Sequence, residues 1–121
     1  MKASTRPVVA YVAGRLVSDT NASSVYDYDR GRHVNMSGTV SNHQVNVYDY
    51  DRGCHFGGSG NGGHFPLYHY GDGHHVNLDV EADGRFRGYD YGSGSHFNGN
   101  VNGRSISLYD YDTSQYYSFS V

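Results

Sequence analysis

The chain has 121 residues and a formal charge of −3, with eight Arg spread among eleven Asp and a single Lys; no basic stripe exists for a phosphate backbone to follow, which excludes nucleic acid as the expected partner. Leu, Ile, Val and Phe together number 23, so the aliphatic core is thin, and thirteen Tyr supply the missing area because each ring removes roughly 150–250 Å² from water while its hydroxyl keeps a polar end. One cysteine, Cys54, rules out an intrachain disulfide framework, and no apolar run is long enough to insert in a membrane.

In chain order, Met1 to Pro7 lacks the apolar run of a signal peptide and leads into a short apolar strand beginning at Val8. No stretch shows a helical period. Gly, Asn, Asp and Ser clusters interrupt the chain about every ten residues, the spacing of short antiparallel strands. The tetrad Tyr-Asp-Tyr-Asp or a close variant then recurs, beginning at Tyr26, Tyr48, Tyr68, Tyr89 and Tyr109. Alternate copies match best, His33-Val34-Asn35-Met36 with His75-Val76-Asn77-Leu78 and His55-Phe56-Gly57-Gly58 with His96-Phe97-Asn98-Gly99. The unit is therefore a pair of about 21-residue copies, about 42 residues in all. This divides the single domain 1–121 into a half-unit 1–25, units 26–67 and 68–108, and a half-unit 109–121.

Each copy reads as a hairpin with one apolar side. In the first, Val40 and Val45 flank Ser41 to Gln44 and share a face with Val34, Met36 and Val47. In the second, a two-residue loop at Asn61-Gly62 sets Phe56 against Leu67 and Gly58 against Phe65. In the third, a two-residue loop mixes the faces, whereas the three-residue loop Ala82-Asp83-Gly84, with Gly84 left-handed, restores them. That choice also places Glu81 opposite Arg85 and Asp79 opposite Arg87, pairs each contributing about 0.2–1 kcal/mol. In the fourth, Asn102-Gly103 sets Phe97 against Leu108 and Gly99 against Ile106. Strict alternation then turns the tyrosines of each tetrad to the polar face, where a ring can lie over a strand glycine of a neighbour.

The two ends look like halves of one further unit, and pairing them closes the sheet and removes two exposed edges. The expected fold is an all-β antiparallel meander of ten to twelve short strands, closed with pseudo-threefold symmetry in the manner of a prism, trefoil or propeller. The alternatives are an open single sheet and a β-solenoid.

Asp-x-Asp-x-Gly at Asp27, Asp29 and Gly31, and again at Asp49, Asp51 and Gly53, lacks the later ligands of a calcium loop and reads as turn chemistry. His33, His55, His75 and His96 share one register, and packing beside Tyr rings accounts for them without a metal. Ser, His and Asp recur with the repeat, so they describe no single catalytic set with separated pKa values. Neither enzyme activity, a cofactor nor a metal is expected. What remains is a surface of flat rings among Asp, Asn and His, the residue types that stack on a pyranose and hold its hydroxyls. The candidate ligand-binding residues are Tyr48, Tyr50, His55, Tyr89, Tyr91, His96, Tyr109 and Tyr111.

The step of about 21 residues with Gly, Asn and Tyr richness resembles the curlin-type fibre repeats, without their Ser/Gln/Asn ladder positions. The threefold plan is similar to small β-lectins. Gln44-Val45-Asn46-Val47-Tyr48 resembles the monocot mannose-binding motif without its first Asp. Neither resemblance transfers a site. The expected function is a non-catalytic, multivalent, lectin-like module for a glycan or other surface ligand; the alternative is a self-assembling homo-oligomer, fibre or cell-surface protein.

Overall fold

A computed structural model describes residues 1–121. One helix, α1 (Arg6–Ser18), precedes ten strands: β1 (Ser24–Asp27), β2 (Arg32–Val40), β3 (Gln44–Asp49), β4 (Cys54–Ser59), β5 (His64–His69), β6 (His74–Val80), β7 (Arg85–Asp90), β8 (Ser95–Asn102), β9 (Ser105–Asp110) and β10 (Gln115–Ser120). Every sequential pair of strands is antiparallel, and β1 pairs with β10, so the strands form one closed barrel. The closure expected from the sequence is present. It is the closure of a single ten-stranded sheet, not the pseudo-threefold arrangement of a prism, trefoil or propeller, and the open sheet and solenoid are not the structure.

The strand expected from Val8 is a helix. Its residues Val8 to Ala13 are fully buried, and α1 packs against β1, β2, β6, β8, β9 and β10, which places it inside the barrel. A ten-stranded barrel is wider than the eight-stranded kind that side chains alone can fill. The helix occupies that width. Ala10, Ala13 and Gly14 keep it slim: a methyl added at Gly14 would stand 2.7 Å from the Cδ1 of Ile106. Because the wall surrounds α1, it carries no polar stripe and so no amphipathic period, and the sequence signal for a helix is lost. Pro7 in the first turn and Asp19 in a left-handed conformation (φ 50°) bound it.

Alternation holds along the wall. Val34, Met36, Val45, Val47, Phe56, Phe65, Leu67, Val76, Leu78, Phe86, Phe97, Ile106, Leu108 and Phe119 are buried in one core with the helix residues, while the tetrad tyrosines stand on the outer face as expected. Rings do cover strand glycines, but on the inner face and from Phe: Phe97 lies over Gly88 and Phe86 over Gly99.

The hairpin registers divide. Val40 pairs with Val45, as expected. The three-residue loop Ala82-Asp83-Gly84 is also present, with Val80 opposite Phe86, Asp79 opposite Arg87 and Gly84 at φ 95°. The other two expected registers are displaced by two residues. Phe56 pairs with His69 and Asn61 with His64, because Gly62 and Gly63, both at positive φ, form the loop in place of Asn61-Gly62. Likewise Phe97 pairs with Asp110 and Asn102 with Ser105, since Gly103 at φ 61° takes the first loop position. A shift of two keeps every side chain on its expected face and changes only its partner.

Candidate functional site

The outer face carries a recurring aromatic trio. Tyr48 pairs with His55 across β3 and β4, and its ring meets Tyr50 and His55 edge-to-face, each at 4.9 Å between centroids. Tyr89 meets Tyr91 and His96 at 4.8 Å, and Tyr109 meets Tyr111 and Tyr116 at 4.7 Å. Such pairs contribute about 0.5–1.5 kcal/mol beyond burial. The first tyrosine of each trio is half-buried, and in the first two trios its hydroxyl lies over the turn glycine: a Cβ at Gly53 or Gly94 would stand 3.8 Å from the hydroxyl of Tyr48 or Tyr89. Tyr50, Tyr91 and Tyr111 are instead more than half exposed. Each reaches back over the preceding strands, Tyr50 to Ser37 at 3.1 Å, Tyr91 to Asn77 at 3.4 Å and Tyr111 to Asn98 at 3.0 Å.

That reach builds a groove. Strand pairing lines up Asn77, Tyr89 and His96 in one row across β6, β7 and β8, and His64, Asp79, Arg87 and Asn98 in the next row across β5 to β8. Neighbours within a row are about 4.8 Å apart and the rows about 7 Å apart, as strand geometry dictates. Tyr111 overhangs both, held by the Asn98 amide. The open space between them measures about 620 Å³. Of the expected ligand residues, Tyr89, His96 and Tyr111 line it. Tyr91 stands beside it through Asn77, and Tyr109 lies behind Tyr111. Tyr48, Tyr50 and His55 form a separate trio on β3 and β4. Asn77, Asn98, His64 and Arg87 were not among the candidates drawn from the sequence. The signal for them was the register of the third hairpin, which places Arg87 two residues from Tyr89 on the same face.

At the barrel end where α1 begins, the central Asp of each tetrad is buried and serves its own turn. Asp27, Asp49, Asp90 and Asp110 accept the backbone N–H two residues on, at 3.0–3.1 Å. In the third tetrad His69 replaces Asp, and its Nδ1 accepts the N–H of Asp72 at 3.0 Å. Asp110 also meets the buried guanidinium of Arg6 at 3.1 Å, which stacks 3.6 Å over the Tyr117 ring. Asp49 Oδ2 and His69 Nε2 have no hydrogen-bond partner. Burial pushes the Asp49 carboxyl pKa up and the His69 imidazole pKa down, both toward neutrality. The Cys54 thiol nearby is also raised by burial. Hydrogen bonding to the Arg52 guanidinium holds Asp72 well below the usual carboxylate range. No group of three or more His, Cys, Asp or Glu side chains is arranged to hold a metal ion.

The groove therefore offers two phenol rings, two imidazoles, two planar amides, one carboxylate and one guanidinium, open to solvent. Comparison of the chain with family models, with curated proteins and with solved structures found no match.

Proposed function

We propose that the protein is a non-catalytic glycan-binding module and that the groove across β5 to β8 is its principal site. The observation that carries this reading is the convergence of Tyr89, His96 and Tyr111 with the amides of Asn77 and Asn98 in one open volume of about 620 Å³. Aromatic faces pack on the C–H face of a sugar ring, and amides both donate to and accept from hydroxyls. A shallow site of this kind binds weakly alone. The aromatic trio at Tyr48, Tyr50 and His55 supplies a second contact surface, and several contacts on one branched glycan multiply the affinity.

Glycan-array screening followed by calorimetry tests the reading. Tyr111→Ala and Asn98→Ala are expected to weaken binding about tenfold or more in a protein that stays folded, with a melting temperature lower by a few degrees for the lost ring pair or hydrogen bond, and Tyr50→Ala to weaken it less. Absence of binding across the array, or variants that lose binding only by unfolding, returns these rings to a purely structural role.

Self-assembly is the second reading, favoured by the seam: β1 and β10 share only the register pairs Tyr26 with Ser120 and Asp27 with Phe119. The ladder between β4 and β5 also has two register pairs, Phe56 with His69 and Gly57 with Tyr68, but the bridge from Asn61 to His64 extends it, so the β1–β10 seam is the weaker edge for strand addition. Growth of a fibre requires that seam to open, which sizing and a 4.7 Å fibre reflection detect.

A further inference from the structure

Among the nine Lys and Arg side chains, Arg87 stands apart. Lys2, Arg6, Arg30, Arg32, Arg52 and Arg85 each meet a carboxylate, and Arg15 and Arg104 donate to backbone carbonyls. Arg87 makes no hydrogen bond and no ion pair. It has a carboxylate directly across the strand in Asp79, but Asp79 is hydrogen-bonded instead to the His64 imidazole from the other side. The one unpartnered guanidinium thus lies in the groove, two residues from Tyr89 and opposite Asn98.

From this we infer that the groove selects sugars bearing a carboxylate, such as uronic or sialic acids, and that Arg87 is the residue that grips it. The inference rests on the glycan reading above and names its ligand class. A guanidinium presents a planar fork of donors that a carboxylate matches with two parallel hydrogen bonds. The row spacing of about 7 Å lets a sugar ring rest against Tyr89 and Tyr111 while a substituent on that ring extends to Arg87. The surroundings favour one carboxylate over a polyanion. Asp79 stands beside the guanidinium, the whole chain is formally −3, and no second unpaired cation continues the track. Asn77 and Asn98 remain for the neutral hydroxyls.

The test titrates the full chain with trisaccharides of galacturonate, glucuronate and mannuronate, each as the free acid and as the methyl ester, together with sialyllactose against lactose. Calorimetry gives affinity, and the Arg87 Nε resonance reports contact. At least one acid is expected to bind about ten- to a hundredfold more tightly than its uncharged counterpart, the scale of a charged hydrogen-bonded pair, with the Arg87 resonance shifting and the preference falling as salt rises. Arg87→Gln removes the preference, and Arg87→Lys, a point charge without the fork, restores only part of it. If neutral glycans bind and every acid binds no better than its ester or neutral partner, the acid preference is overturned while the glycan reading stands. If neither acids nor the neutral array bind, both fall. An acid preference that persists in Arg87→Gln moves the carboxylate elsewhere and overturns the role of Arg87.

Discussion

At the barrel end where α1 begins, five turns follow one hydrogen-bonding scheme, whereas the four loops at the opposite end differ in length and in where positive φ falls. In the first set the tetrad residue caps the turn with its side chain, and in four of the five its carbonyl accepts the N–H of the glycine four residues on, at 2.7–2.8 Å. These bonds are local. In the second set the decisive contacts come from the next hairpin: a Cβ at Gly63 would stand 2.4 Å from the carbonyl oxygen of Val80, and one at Gly84 would stand 2.5 Å from that of Val101. A turn fixed by its own side chains repeats with its sequence, while a loop fixed by its neighbour does not.

The sharpest break of the uniform end is expected at Asp110. Asp110→Asn keeps an oxygen for the N–H of Asp112 but withdraws the charge facing Arg6, whose side chain is 7% exposed. Leaving a buried guanidinium without its carboxylate costs about 3–5 kcal/mol. Asp27→Asn makes the same change where the partner, Arg30, is partly solvated, and about 1 kcal/mol or less is expected. Denaturant unfolding of the two variants measures the contrast; equal losses mean that the turn, not the Arg6 pair, carries the energy.

The same division explains what could be read in advance. Asp27, Asp49, Asp90 and Asp110 announce turns because an Asx side chain and a following glycine are local requirements. The faces of the strands were legible because alternation survives a two-residue shift in register, as at Phe56 and Phe97. The partners of Phe56 and Phe97 were not, since Gly62-Gly63 and Gly103-Arg104 compete with Asn-Gly on terms set by adjacent strands. Helix α1 was illegible for a related reason: Val8, Val9, Val12 and Ala13 are apolar on every side because the wall surrounds them. Of the groove, Tyr89, His96 and Tyr111 were legible as rings of the outer face, whereas their meeting with Asn77 and Asn98 needed the three-dimensional reach of Tyr111.

Glycine substitutions sharpen the contrast at intermediate cost. Gly53→Ala, at φ 64° with nothing nearer than the Tyr48 hydroxyl at 3.8 Å, is expected to lose only the left-handed penalty of about 1 kcal/mol. Gly84→Ala adds the collision with the Val101 carbonyl to a φ of 95°, and about 2–4 kcal/mol is expected. The fifth turn already carries Ser114 at φ 56°, so Ser114→Gly is expected to stabilise by up to about 1 kcal/mol. Melting temperatures that rank Gly53→Ala below Gly84→Ala contradict the comparison.

The smallest effect tests the one turn that a histidine caps in place of an aspartate. His69 Nδ1 accepts the N–H of Asp72, and an imidazolium has no lone pair there, so protonation must break that bond as well as charge a fully buried ring. Burial is the main cause that lowers its pKa; Asp72 pulls the other way, while Arg52, His74 and Lys2 add to the lowering. The sign follows: a histidine whose folded pKa lies below the unfolded value of about 6.5 contributes its stability above that value and loses it as pH falls toward the folded pKa. Asp49 acts in the opposite sense, its raised pKa giving stability that is fully present below about 3.8 and lost as pH rises through the folded value. Asn at position 69 keeps an acceptor for the Asp72 N–H and does not titrate. His69→Asn is therefore expected to raise the melting temperature at pH 5 relative to pH 7 by a few degrees compared with the unaltered chain, leaving the Asp49 contribution in place. Parallel pH profiles for the two proteins would show that His69 takes up its proton equally in the folded and unfolded states, and that histidine differs from aspartate in this turn by shape alone.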